Sequence, residues 1–357
     1  MAFIGVYGQK SGGSKKIMAT TDKKALSFNI AFINNILSMV SLEPAIIDTL
    51  LHECRIPKHL LEVPNARVPL VQLARLTSGL INASGDEALG HGPNPVPLGN
   101  FSLLTHWLVT AKTMGQVLER LERFYHIVDK SPAIYVQSSG EQVQLVLDPA
   151  YNTNRYMAEN IFFVVHRILS WLSREIITIH HVEFNYSKPA YAQDYRAVYY
   201  GAPTSFNGAV ASMSLPSSLL QKPVRQDYAG LKSLLIDPFF ELYLLEFKSH
   251  SWASRVANEI NHTLHALPTL PQLAKIMKLK PYTLQRRLAD EGTSYLTIKN
   301  HLKRDSAIEL LINTELTIEE ISVKLGFSET SPFTRTFKQW TGVPPSAYRK
   351  YQKAWLP

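Results

Sequence analysis

Ile318-Glu-Glu-Ile-Ser-Val-Lys-Leu-Gly-Phe-Ser-Glu-Thr-Ser-Pro-Phe-Thr-Arg-Thr-Phe337 is the stretch whose reading decides the C-terminal fold. Ile318, Ile321 and Leu325 recur at helical spacing, Gly326 supplies a tight turn, and Pro332 stands near the start of a second helix. With Phe333 and Phe337 turned inward, Thr330, Ser331, Thr334, Arg335 and Lys338 are left outside. A second stretch, Leu270-Pro-Gln-Leu-Ala-Lys-Ile-Met-Lys-Leu-Lys-Pro-Tyr-Thr-Leu-Gln-Arg-Arg-Leu288, reads the same way. Leu270, Leu273, Ala274 and Met277 pack, and Pro281 opens the next helix, where its missing N–H costs nothing. Leu284 and Leu288 face the core, leaving Tyr282, Gln285, Arg286 and Arg287 outside. Each unit is a short amphipathic helix, a turn and a second helix carrying arginine, which is the sequence form of a helix-turn-helix.

Working outward, a helix over 295–311 separates the two units and fixes their relative orientation. Arg286 and Arg335 are equivalent, 49 residues apart. That spacing predicts two recognition helices entering successive major grooves, about 34 Å apart on one face of DNA. Arginine and glutamine reach guanine and adenine edges bidentately. The charge agrees: residues 251–357 hold 15 Lys/Arg against 9 Asp/Glu, whereas the first 250 hold 22 against 20. A polyphosphate partner requires such a concentration of positive charge. The competing reading is a generic helical bundle with basic surface arginines. Against it stand the repeat, the paired prolines, the turn glycine and the charge asymmetry.

Upstream the pattern changes. Residues 1–25 are Gly-, Ser- and Lys-rich and read as a mobile basic tail. Phe28, Phe32, Ile36 and Val40 make one apolar stripe, read as a helix starting near Ser27. Further helices are expected over 44–52, 69–81, 101–111 and 114–127, the last capped by Thr113. The Pro/Gly-rich segment 90–99 breaks regular structure. Residues 133–136 and 143–147 read as a hairpin, 156–175 as a long buried helix, and 181–186 and 210–215 as strands. The chain therefore divides into the tail, an α+β N-terminal domain over 26–220, a helical linker over 221–252, and an all-α C-terminal domain over 253–351 with two tandem helix-turn-helix motifs.

The run from Ile318-Glu-Glu-Ile through Leu325-Gly-Phe-Ser and Phe333-Thr-Arg-Thr-Phe-Lys-Gln-Trp-Thr-Gly342 to Pro345-Ser-Ala-Tyr-Arg349 resembles the signature of AraC/XylS-type transcriptional regulators. Leu284-Gln-Arg-Arg-Leu-Ala-Asp-Glu-Gly-Thr-Ser294 is similar to the first half of that unit. The resemblance implies base-edge and backbone contacts for Tyr282, Gln285 and Arg286 in one helix and Thr330, Ser331 and Arg335 in the other. Two departures stand out. Ser322 replaces the usual scaffold alanine and is expected to bond a carbonyl one turn back. Ile276-Met-Lys-Leu lacks the turn glycine of the second unit. Pro97-Leu-Gly-Asn-Phe-Ser-Leu-Leu, residues 116–124 and Tyr199-Tyr-Gly-Ala-Pro-Thr-Ser-Phe206 look like the effector domain called "arabinose-binding-like", shared with OruR/ArgR-type regulators. That label does not specify a sugar. The resemblance implies a cytoplasmic transcription regulator, activator or repressor. Its effector would be an amino acid, a fatty acid or another small metabolite. Its partners would be an operator in double-stranded DNA, RNA polymerase and a second copy of the chain, although no coiled-coil heptads are present.

Effector-site candidates are Tyr135, Phe162, Phe163, His166, Tyr199 and Phe206, between the strands and the long helix. A plain hydrophobic core is the competing reading of the same residues. Cys54 is the sole cysteine, which excludes a disulfide framework and a thiolate metal cluster, and it reads as an inert, mostly buried thiol. No apolar run is long enough to cross a bilayer, and no secretion signal heads the chain. Twelve histidines occur without His-Glu-x-x-His, and Gly-x-Ser-x-Gly and phosphate-binding glycine loops are missing as well. His91, His180 and His181 read as ordinary surface or capping residues. No cofactor, metal or catalytic residue is expected. A ligand-independent DNA-binding protein whose first domain only dimerises is the principal alternative, and an N-terminal enzyme domain a weaker one.

Overall fold

The stripe at Phe28, Phe32 and Ile36 crosses two kinds of structure and not one helix. Ser27–Asn29 is a strand, β1, and the helix α1 (Ala31–Leu37) follows it. β1 pairs antiparallel with β2 (Arg67–Pro69), with Phe28 opposite Val68. The Asn29 side chain accepts from the Ala31 amide at 2.8 Å and turns the strand into the helix. A spacing of four thus survived a change of element. The computed structural model describes residues 26–128, 134–148, 155–245, 251–346, 348 and 349, so the expected basic tail lies outside the described residues.

The helices α2 (Pro44–Glu53), α3 (Leu70–Ser84), α4 (Asn100–Leu108) and α5 (Met114–Val128) fall where periodicity places them. Thr113 caps α5, its Oγ1 accepting from the Gln116 amide at 3.3 Å. The Pro/Gly segment is ordered by two carboxylates. Asp86 accepts from the amides of Ala88, Gly90 and Val96, and Glu87 from those of Gly99 and Phe101. His91 is buried there, and its Nε2–H donates to the Ile36 carbonyl at 3.0 Å, capping the end of α1. Cys54 is buried as expected, and desolvation pushes its thiol up to about 11.

The hairpin β3 (Ile134–Ser139) and β4 (Gln142–Leu147) turns on a two-residue loop that opens with Gly140 at φ +57°. Then come α6 (Arg155–Ser173), β5 (His181–Glu183), α7 (Tyr195–Val198), β6 (Thr204–Ser205) and β7 (Ser212–Pro216). The sheet runs β3-β4-β7-β5-β6, antiparallel except for the β5–β6 pair. β6, with two residues, is too short for an alternating pattern, and the sequence places no strand there. α6 is buried on nearly every face, as its apolar sequence predicts. Next are α8 (Tyr228–Leu234) and α9 (Pro238–Tyr243), N-capped by Asp227 and Asp237.

The C-terminal region is helical throughout: α10 (Trp252–Ile260), α11 (Leu270–Ile276), α12 (Pro281–Asp290), α13 (Tyr295–Asn313), α14 (Ile318–Lys324) and α15 (Thr330–Thr341). α13 serves two cores. Its Ile298 and Leu302 join Leu273, Leu284 and Leu288 in a separate cluster around the first repeat. Its Ala307, Ile308 and Leu311 join Ile321, Phe333 and Phe337, which are continuous with the core of the N-terminal domain.

A buried polar cluster fills that junction. Arg67 pairs with Asp194 at 3.0 Å, with side-chain exposures of only 4% and 6%. Ser27 Oγ donates to Asp305 at 2.5 Å, and Arg304 Nε donates to the same carboxylate at 2.7 Å. Tyr348 places its hydroxyl against both the amide and the carbonyl of Arg67. Buried charges are tolerated where they are paired and hydrogen-bonded in this way.

Candidate nucleic-acid interface

The two scaffold helices start with the same device. Thr269 accepts from the Gln272 amide while the Gln272 side chain accepts from the Thr269 amide. Thr317 and Glu320 repeat this, at 2.7 and 3.1 Å. Each is a capping box, which satisfies two otherwise orphaned amides. The Thr-x-x-Gln and Thr-x-x-Glu signals were present in the sequence and add a further level to the repeat.

The turns also match. In the second repeat Gly326 is left-handed at φ +68°, with Phe327 N–H bonded to the Ser322 carbonyl at 3.0 Å. In the first, Lys278 takes the same conformation at φ +55°, with Leu279 N–H bonded to the Ala274 carbonyl at 2.8 Å. The missing glycine therefore leaves the turn intact. Ser322 is buried, but its hydroxyl donates forward to the Glu329 carbonyl at 3.1 Å and not one turn back. It ties the scaffold helix to the start of α15.

Burial sorts the outward residues. Tyr282 is 73% exposed, and Gln285 and Arg286 are exposed beside it on α12, with Leu284 and Leu288 underneath. On α15, Ser331, Arg335 and Lys338 are exposed and Thr330 and Thr334 half-buried, over Phe333 and Phe337. None of the ion pairs among the described residues engages Arg286, Arg335 or Lys338. Arg287 differs: it is half-buried, with its guanidinium 4.1 Å from the centre of the Trp252 ring. Arg255 lies 3.9 Å from the same ring, so Trp252 is stacked by two cations. Glu291 closes this corner by accepting from the amides of Trp252 and Ala253, at 2.6 and 2.9 Å. The carboxylate thereby anchors the N-terminus of α10 to the first repeat.

In the N-terminal domain the six effector candidates fall into separate groups. Phe162, Tyr199 and Phe206 gather around the Phe184 ring, at 6.2, 6.0 and 5.9 Å. Phe163 faces Tyr243 at 4.7 Å, and the His166 ring lies 5.4 Å from that of Tyr200. Burial lowers the pKa of His166 to about 3, so it is neutral, and its Nε2–H donates to the Ile177 carbonyl at 2.8 Å. Tyr135 is apart from these, on the outer hairpin, donating to Asp148 at 2.8 Å. Among the described residues there is no cluster of His, Cys, Asp and Glu suited to a metal ion. No helix among them is long and apolar enough to cross a membrane.

The family described as the arabinose-binding domain of AraC transcription regulator, N-terminal, matches residues 46–224, and a helix-turn-helix domain family matches residues 273–351. The ornithine utilization regulator of Pseudomonas aeruginosa is 23% identical over 339 residues, covering 90% of this chain and 96% of that one. An uncharacterised HTH-type transcriptional regulator of Mycobacterium tuberculosis is 42% identical over 74 residues. Those residues are 21% of this chain and span only 22% of that relative's length. Among solved structures, the transcriptional regulator CdpR of Pseudomonas aeruginosa aligns over 89% of this chain and 96% of its own, at 20% identity and a TM-score of 0.28.

Proposed function

Because this chain belongs to the AraC family of DNA-binding transcription regulators, with an arabinose-binding-type N-terminal domain, we propose that a small-molecule effector bound in that domain controls how the two helix-turn-helix units engage an operator. The observation that carries this reading is the buried junction. Ser27 of the first domain is bonded to Asp305 of the DNA-reading unit, and Arg67, held by Asp194 of its own domain, is bonded through its backbone to Tyr348. A ligand that prefers one arrangement of that junction changes DNA affinity by its differential binding to the two.

On this reading Tyr282, Gln285 and Arg286 of α12 and Thr330, Ser331, Thr334, Arg335 and Lys338 of α15 meet DNA. Arg286 and Arg335 read bases, and Lys338 meets a phosphate. Arg287 supports α12 through Trp252. The chain performs no catalytic step; it works in the cytoplasm with RNA polymerase and a second copy of itself.

The test is thermal unfolding of the full-length protein across a metabolite library, followed by operator affinity with each stabilising compound. The expected result is at least one compound that both raises the unfolding temperature and changes operator affinity severalfold. Compounds that stabilise without changing affinity would favour the ligand-independent regulator.

A further inference from the structure

The long helix α6 carries two buried charged residues on one stripe, Glu159 and Arg167, with Phe163 between them. At 1.5 Å per residue they stand roughly 12 Å apart along the axis, too far to pair. Glu159 is provided for, since the hydroxyls of Tyr186, Tyr191 and Tyr195 all donate to its Oε1. Arg167 is not. It is 95% buried, and its Nε and Nη1 meet no acceptor among the described residues. No ion pair among the described residues includes it. Its guanidinium is instead held between two aromatic faces, 4.8 Å from the ring centre of Phe163 and 4.1 Å from that of Tyr200.

A buried cation without an anion is costly, and stacking on rings offsets only part of that cost. The two rings cover the guanidinium carbon and leave the N–H groups of Nε and Nη1 to meet an anion. Two neighbouring residues are unusual as well. Tyr200 is left-handed at φ +52°, a strained state for a tyrosine, and its hydroxyl donates to the Leu245 carbonyl at 2.9 Å. His166 Nδ1 is buried and unpartnered beside the same ring.

We propose that Arg167, clamped by Phe163 and Tyr200, is the anion-binding point of the effector site and takes the carboxylate of a small organic acid in a bidentate pair. This rests on the effector-controlled reading and deepens it. Carboxylate fits better than phosphate because the site is buried among rings, where a single negative charge costs less to desolvate than the one to two charges of a phosphate. The site is also connected to the DNA-reading unit. Gly201 N–H bonds to the Arg196 carbonyl at 2.7 Å, and Arg196 Nη1 lies 2.9 Å from where a side chain on Gly292 would begin. Gly292 follows Glu291, the anchor of α10. Ordering Tyr200 therefore bears on the first helix-turn-helix.

The test uses the full-length protein, unfolded thermally with propionate, hexanoate or benzoate, each beside its primary amide and beside inorganic phosphate. The expected result is a concentration-dependent rise with at least one carboxylate and none with its amide. Arg167→Gln should weaken that binding at least about tenfold. Arg167→Met should unfold, without added acid, at the wild-type temperature or above, because it removes an unpaired buried charge. A lower unfolding temperature for Arg167→Met, a response undiminished in Arg167→Gln, a response to phosphate alone, or no response to any carboxylate would overturn the proposal. If uncharged or cationic compounds alone stabilise the protein and change operator affinity, the carboxylate site fails while the effector reading stands.

Discussion

Lys278 and Gly326 hold equivalent places in the two repeats, and both backbones are left-handed, at φ +55° and +68°. The two turns nevertheless differ in what surrounds them. A Cβ on Gly326 would lie 2.6 Å from the His265 carbonyl oxygen, a backbone atom that cannot swing aside. Glycine is thus required in the second repeat. The first repeat accommodates lysine at the cost of an unfavourable conformation, on the order of 1 kcal/mol.

Lys278→Gly should accordingly stabilise the protein by about 0.5–1 kcal/mol, and Gly326→Ala should destabilise it by about 2–3 kcal/mol. Urea unfolding of the full-length chain measures both. A neutral or destabilising Lys278→Gly would mean that the lysine side chain makes a compensating contact.

At the junction, Tyr348→Phe deletes a buried hydroxyl and leaves the Arg67 amide and carbonyl without that partner. The expected loss is about 1–3 kcal/mol. Asp194→Ala should cost more, about 3–5 kcal/mol, since it strands the buried Arg67 guanidinium and the Asn29 amide. Reversing that order in denaturation experiments would show that the phenol, and not the ion pair, dominates the junction.

Glu159 adds a pH dependence. Burial raises its pKa from 4.5 to about 7, against the opposing effect of the three tyrosine hydroxyls and Arg155. The folded state therefore holds a proton that the unfolded state releases. Between pH 4.5 and 7 stability should fall by about 1.4 kcal/mol per unit as pH rises, and this contribution should be constant above 7. Glu159→Gln keeps an oxygen for the tyrosines without the charge. It should flatten that interval and unfold at higher temperature than wild type at pH 8. An unchanged slope would place the proton elsewhere.

Legibility in the sequence followed the range of the interactions. The second repeat was readable because Ile321, Leu325, Gly326, Phe333 and Phe337 each obey a local rule and agree with one another. The first repeat lacked only the turn residue, and backbone hydrogen bonds hold Lys278 where glycine would be expected. Phe28 misled because its spacing to Phe32 and Ile36 is helical although it lies on a strand. The junction was invisible: Ser27 and Asp305 are 278 residues apart, and no local pattern predicts their bond. α6 read correctly as a buried helix, but the fates of Glu159 and Arg167 depend on tyrosines 27 to 36 positions downstream, which sequence spacing does not bring together. Of the six effector candidates, Phe162, Phe163, His166 and Tyr199 are buried and Tyr135 and Phe206 half-buried, and only the fold separates Tyr135 from the rest.

The central claim is that α12 and α15 read one operator together. The most direct measurement is binding selection from a random DNA library with wild type, Arg286→Ala and Arg335→Ala, scored base by base. Each variant should lose about 1–3 kcal/mol on the preferred site and relax preference at its own base pair, the two positions lying about one helical turn, 10–10.5 base pairs, apart. Equal losses on preferred and random DNA, or relaxation of both variants at the same base pair, would contradict it.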